Sequence, residues 1–325
     1  MEEILYRIPG IYDCEEIIRT NLDEAGDDWA WDAVNVPAMW RKTGGEGVSW
    51  CTIDTDLDDQ HPDVKDKLDD FADFVGRRSK FKNPHSTWCF TCTGGQEKNG
   101  YAVGLAPKSR GYAAAALNNQ GSGISTAIAR AINWATDKKC RVLSLSLGAP
   151  VESPEITNAI NDFYAEVPDG IVIAAAGNEG EKSGHPMGWP ALMPNVIAVG
   201  AMNRDGTRAS FSSWDSNNLD VMGPGQDVIA GIPMNQGGLG RMSGTSMATS
   251  FVAGVACLWA SLNPGKGVTA FRKALQETSK DIGKPGYDEE TGWGLITPNV
   301  LQGAKPDEPN DGGFTARFYN AQVIG

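Results

Sequence analysis

Apolar residues along this chain fall into two kinds of run. Short unbroken runs, Ile171 to Ala176 and Val196 to Ala201, are bounded by Gly, Pro or Asn, as strands buried on both faces should be. Gly47 to Asp54 predicts a further short strand, with Val48, Trp50 and Ile53 as β-favouring bulk, and Val142 to Leu147 another. The second kind recurs at helical spacing. Ile124, Ile128, Ala131, Ile132 and Ala135 give a helix from Gly123 to Lys138 one apolar face, and Ser122 stands close enough to cap it. Ser153 to Val167, the long apolar segment Thr245 to Leu262, and Val268 to Thr278 predict three more helices. Strands alternating with helices specify an α/β domain with a parallel, helix-covered sheet.

The ends depart from this pattern. Residues 1 to 28 are acidic, and Asp23 to Asp28 reads as a solvated linker; after Gln302, Lys305 to Gly313 is dense in Pro, Gly, Asp and Asn. The expected organisation is an N-terminal extension (1–28), a catalytic domain (29–303) and a flexible tail (304–325). Phe314 onward is the one segment that suggests docking on a neighbouring copy, so a homo-oligomer stays open.

Composition narrows the partners. The 325 residues carry 28 Lys+Arg against 41 Asp+Glu, a net charge of −13, which disfavours a nucleic-acid backbone or an anionic membrane as the main partner. Purely apolar stretches fall far short of the roughly 20 residues of a membrane span. The opening Met1-Glu2-Glu3 shows no secretion signal. Six cysteines are too sparse for a disulfide scaffold. Cys89 and Cys92 form a C-x-x-C, but no second pair or nearby His completes a metal set, so they read as core thiols. A reduced, cytoplasmic setting fits.

Four segments carry chemistry. Asp54 ends a strand, His85 precedes a helix, Asn178 follows a strand and Ser246 opens the apolar helix. In a parallel α/β sheet the strand C-termini and helix N-termini share one rim, where ligands bind. A serine hydroxyl needs a base to take its proton, an imidazole has a suitable pKa, and a carboxylate fixes its tautomer. The N–H groups at a helix start favour an oxyanion beside Ser246, and Asn178 offers a second donor.

Gly244-Thr245-Ser246-Met247-Ala248 with Val252-Ala253-Gly254 resembles the nucleophile helix of the subtilases, the subtilisin-like serine peptidases. Ala174 to Gly180 (AAAGNEG) resembles their oxyanion-asparagine loop, and Ile53-Asp54-Thr55 with His61-Pro62-Asp63 their catalytic-aspartate segment. The resemblance runs from Trp31 to Gln302 in the family's order Asp, His, Ser. It implies a three-layer fold and a serine endopeptidase with catalytic Asp54, His85 and Ser246 and an oxyanion hole at Asn178. It further implies that Gly121, Ser122 and Gly123, and Ser146, Leu147 and Gly148, sandwich an extended polypeptide substrate. Ala175, Gly177 and Gly188 would line an open primary pocket, with Glu179 at its rim.

Departures from the family pattern set further expectations. Where the family has H-G-T-H-V-A-G, this chain reads His85-Ser86-Thr87-Trp88-Cys89-Phe90-Thr91, so added side chains must find room around that helix. Asp56 replaces a glycine and, if close and ionised, would raise the imidazole pKa. Ser250 and Phe251 replace a proline and a histidine. His61 and His185 read as loop residues, leaving no rival base, and Met247 is an oxidation site if exposed. Tyr6 to Ile11 resembles the short inhibitory pro-segment of intracellular subtilisins, which implies that Ile8 and Pro9 lie across the cleft and that Pro9 resists cleavage. Catalysis needs no cofactor. A structural calcium is open: Asp63 matches one ligand, and Gln96 to Gly100 offers oxygen donors but also Lys98. Two alternatives keep the same scaffold, a processing or cyclising transpeptidase and a weakened pseudopeptidase that binds peptide.

Overall fold

The structure, a computed structural model, describes residues 3–9, 12–16, 29–76, 83–96, 104–184, 186–215 and 217–302. The strands are β1 (Leu5–Arg7), β2 (Tyr12–Glu16), β3 (Ser49–Asp54), β4 (Leu68–Asp73), β5 (Arg110–Ala115), β6 (Ser122–Ile124), β7 (Val142–Leu145), β8 (Ile171–Ala175), β9 (Ile197–Met202), β10 (Val221–Pro224), β11 (Val228–Gly231) and β12 (Leu239–Ser243). The helices are α1 (Trp29–Ala33), α2 (Val36–Trp40), α3 (His85–Gly94), α4 (Ser125–Asp137), α5 (Pro154–Glu166), α6 (Thr245–Leu262) and α7 (Val268–Thr278).

Seven strands make the central sheet in the order β10-β9-β8-β7-β3-β5-β4, every neighbouring pair parallel. All residues of β7, β8, β9 and β10 are buried, which explains their unbroken apolar runs. Strand β3 lies between β5 and β7: the chain runs from it out to the edge strand β4 and back to β5 on one side, then winds outward through β7 to β10 on the other, and this reversal places a crevice at its C-terminal end. Asp54 is the last residue of β3. Helix α3 packs on α6 and α4 on α5, and the pairs cover the sheet to make three layers. Helix α6 is apolar enough to cross a membrane by composition, but 89% of it is buried in the fold, and its Ala, Gly, Ser and Thr let neighbours approach on all sides.

Thr245–Leu262 and Val268–Thr278 form with the bounds their periodicity predicts. Ser122 does not cap a helix. It begins β6, and α4 starts only at Ser125, because Ser122–Ile124 is drawn out to pair with β1, antiparallel, Tyr6 opposite Gly123. A third sheet, β11-β12-β2, is antiparallel and places the second strand of the N-terminal segment on β12. The acidic linker Asp23 to Asp28 and the tail 304–325 lie outside the described residues.

Candidate active site

Asp54 is fully buried at the end of β3, where its Oδ1 accepts from Thr55 N at 2.6 Å. His85 opens α3, its backbone N–H held by Asn83 Oδ1 at 3.0 Å. Thr55 Oγ1 accepts from Ser86 N, so strand end and helix start are tied side by side. Across that joint, His85 Nδ1 lies 2.9 and 2.8 Å from the two Asp54 carboxylate oxygens. A carboxylate can only accept there, so a ring proton sits on Nδ1, and in the neutral ring Nε2 carries the lone pair.

Burial pulls the His85 pKa down, but the Asp54 carboxylate and, after it, Cys89 outweigh burial and raise it to about 10. Asp56 is not the cause: its Oδ1 accepts from Leu57 N, an intraloop contact that turns it to its own backbone. Cys89 stands one helical turn from His85, with Sγ 3.8 Å from Nδ1. It is a buried thiol, as its apolar neighbours suggest, but it also touches the imidazole.

Ser246 is buried in the first turn of α6. Its carbonyl accepts from Ser146 Oγ at 3.2 Å and from Ser250 Oγ at 3.0 Å. Asn178 Oδ1 accepts from Thr245 N at 2.9 Å and from Thr245 Oγ1 at 2.8 Å. Two donors on that oxygen fix the amide orientation, which makes Nδ2 the donor end and sets it beside Gly244. Gly244 makes the approach possible: at φ 155° a Cβ would stand 3.1 Å from Asn178 Nδ2. Neither Ser246 Oγ nor His85 Nε2 has a hydrogen-bond partner among the described residues, so no bond joins them in this state.

The substituted helix α3 is absorbed by its surroundings. Trp88 Nε1 donates to Gly240 O, and Thr91 Oγ1 exchanges hydrogen bonds with the Gly231 backbone. Phe90 stacks on Trp50 at 4.6 Å and fills the space left by Gly111, where a Cβ would come within 2.4 Å of its ring. Phe251 meets Trp31 edge-on at 5.3 Å. Met247 is 1% exposed, so it is not an oxidation site in this fold.

Gly121–Gly123 and Gly148 flank the N-terminal strand. Arg7 and Gly148 exchange both backbone hydrogen bonds at 2.9 and 2.8 Å, and Ile8 N donates to Gly121 O at 2.8 Å. Gly121, at φ 70°, would set a Cβ 2.8 Å from the Ile8 side chain. Tyr6 is fully buried. Beside this strand a cavity of about 670 Å³ is lined by Ile8, Pro9, Gly148, Ala175, Gly177, Asn178, Glu179 and Gly188, among others. Glu179 pairs with Lys182 at its rim.

Of the remaining sequence candidates, Leu147 is core. His61 is buried and doubly engaged, Nδ1 accepting from Asp63 N and Nε2 donating to Gly238 O, and burial lowers its pKa. Asp63 is buried, and its carbonyl accepts from Gln96 N. The rest of its expected calcium loop, Glu97 to Gly100, and His185 lie outside the described residues. Sequence reading missed the Cys89–His85 contact and the pairing of β2 with β12. A polar bias in Tyr12–Glu16 gives little strand signal, since an edge strand needs no apolar alternation.

A family model described as the subtilase family matches residues 45–294. Thermitase of Thermoactinomyces vulgaris is 35% identical over 256 residues, 78% of this chain and 88% of that protein. An intracellular serine protease of Paenibacillus polymyxa is 34% identical over 235 residues, covering 70% and 71%. Subtilisin E of Bacillus subtilis is 36% identical over 260 residues, covering 78% and 65%.

Proposed function

This chain belongs to the subtilase family and is a subtilisin-like serine endopeptidase; from that premise we propose that Ser246 is its nucleophile, His85 its general base and acid, Asp54 the group that orients His85, and Asn178 an oxyanion donor. Ser246 Oγ attacks the peptide carbonyl as its proton passes to His85 Nε2. The imidazolium so formed is stabilised by the Asp54 oxygens on Nδ1–H. The carbonyl oxygen gains charge and takes hydrogen bonds from Asn178 Nδ2 and the Ser246 backbone N–H. His85 then gives the proton to the departing amine, and water resolves the acyl-enzyme by the same route. Catalysis needs no cofactor.

The observation that carries this reading is the grip of both Asp54 oxygens on Nδ1, with Nε2 and the Ser246 hydroxyl both buried and without hydrogen-bond partners among the described residues, in the first turns of two helices that pack on each other. Such contacts often close only on substrate. A fluorophosphonate probe should label the protein and fail on Ser246→Ala; labelling that survives the substitution rejects the assignment.

The N-terminal extension restrains the enzyme. Residues 5–8 pair in the way a substrate strand would, between Gly121–Gly123 and Gly148, and Pro9 follows at the cavity beside Asn178. Proline supplies no N–H and a fixed φ, so the adjacent bond is held off the productive geometry. Deleting residues 1–20 should raise peptide hydrolysis; an unchanged rate rejects restraint. Cys51, Cys89, Cys92, Cys140 and Cys257 are buried free thiols, and an intracellular relative is among the matches, which supports a cytoplasmic enzyme. Asp63, with Gln96 bonded beside it, would contribute to a structural calcium. Chelation should then lower the Tm, and an unchanged Tm removes calcium from the proposal.

A further inference from the structure

Helices α3 and α6 each carry one reacting group in the first turn, and they meet further along. Gly254 of α6 lies so close to α3 that a Cβ there would stand 2.8 Å from the Thr93 carbonyl oxygen. One turn nearer the site, Thr93 Oγ1 stands 3.0 Å from Ser250 O on α6 and 3.0 Å from Cys89 O on its own helix. Its single proton is shared between two carbonyls, one on each helix. Thr93 and Ser250 are both fully buried, which keeps bulk water from the bond.

From that joint each helix leads back to a reacting side chain. On α6 the Ser250 hydroxyl donates to the Ser246 carbonyl at 3.0 Å, and Ser146 Oγ donates to the same oxygen at 3.2 Å. On α3, Cys89 lies midway between Thr93 and His85, with Sγ 3.8 Å from His85 Nδ1. The joint is therefore about 12 Å along α3 from His85 and about 6 Å along α6 from Ser246. A hydrogen-bonded helix is stiff over such spans, so an axial slip of α3 on α6 reaches the imidazole undiminished. Apolar packing is non-directional and sets register less sharply than a hydrogen bond, which has a preferred length and angle.

We propose that Thr93 and Ser250 are positioning residues: their bonds fix the register of α3 on α6 and so set how close His85 Nε2 comes to Ser246 Oγ when substrate binds. This rests on the peptidase reading of the cleft. Neither hydroxyl touches a reacting atom. His85 Nε2 and Ser246 Oγ are not bonded to each other in this state, so the gap between them is what the register controls. Proton transfer needs reacting atoms about 3–3.5 Å apart, and a misplacement of about 1 Å can cost about 10²-fold in rate.

The test measures peptide hydrolysis and the rate of fluorophosphonate labelling on the full chain. Thr93→Val keeps the shape of the side chain and removes the hydroxyl; kcat should fall about tenfold with little change in KM, and labelling should slow in proportion. Thr93→Ser restores the hydroxyl and should recover most of the rate. Ser250→Ala breaks the link nearer Ser246, where Ser146 still holds the carbonyl, and should lower kcat about threefold. Because both act along one line, Thr93→Val/Ser250→Ala should be slowed about tenfold and not by the product of the two. Thr136→Val is the control: its hydroxyl bonds to Ile132 O within α4 at 2.9 Å, so Tm should fall while kcat stays unchanged. Should Thr93→Val not fold, Thr93→Ala reads the same outcome. An unchanged kcat without the Thr93 hydroxyl, a fall that Thr93→Ser does not recover, or an equal fall in Thr136→Val would overturn the inference and leave the peptidase intact. An unsubstituted chain that neither cleaves peptide nor takes the probe would remove the peptidase reading and this one with it.

Discussion

Asn178 is held by its oxygen, and its orientation rests on Thr245, which donates to Oδ1 from both backbone and hydroxyl. Asn178→Ala should lower kcat by about 10²–10³, the size known for the corresponding donor of subtilisin, with little change in KM. At His85 the sign follows from the charges around it. Attack needs the neutral base, so kcat/KM rises with pH through the His85 pKa, and Asp54 moves that limb to higher pH. In Asp54→Asn burial remains without its counterweight, so the limb should shift down while the rate falls; a limb that stays in place contradicts the Asp54 attribution. Cys89 pulls in the same direction as Asp54, so Cys89→Ala should shift the limb down by less. Asp54, His85, Asn178 and Ser246 were legible as candidates because each sits in a run of specific neighbours at a strand end or helix start. The Cys89 contact was not, since a cysteine one turn along a helix looks like any small apolar residue.

The room for the bulky side chains of helix α3 comes from distant glycines, Gly111 and Gly231, rather than from the helix itself. Filling one of these gaps should matter: Gly111→Val should destabilise the fold by about 1–3 kcal/mol through overpacking against Phe90, read by denaturant unfolding. At α5 the serine read as a helix start is the cap, Ser153 Oγ accepting from Ile156 N. Ser153→Ala should cost about 1 kcal/mol in the same measurement. The long periodic helices were legible, α6 and α7 to the residue. Short ones and polar-edged strands, such as β4 and β6, were not, because their conformation is set by the strand beside them.

Arg141, at the entry to β7, shows how the whole molecule fixes the nucleophile helix. Its guanidinium donates to the carbonyls of Ala260, Asn263 and Lys266 at the far end of α6, and pairs with Asp169. A cation there satisfies orphan carbonyls and complements the helix dipole, so Arg141→Ala should lower stability by about 2–3 kcal/mol in thermal or urea unfolding. The N-terminal segment is also a whole-molecule feature, bridging two sheets that lie far apart in sequence. Sequence alone determined the alternation of buried strands and helices and marked Asp54, His85, Asn178 and Ser246 as the candidates for acid, base, amide and hydroxyl, because periodicity and local motif are properties of neighbours along the chain. Only the tertiary structure decided that Asp54 holds both sides of Nδ1, that glycines make room for Trp88 to Thr91, and that Tyr12–Glu16 lies on β12. Those contacts join residues tens to hundreds of positions apart, and which of them form depends on how the packed layers bring their edges together.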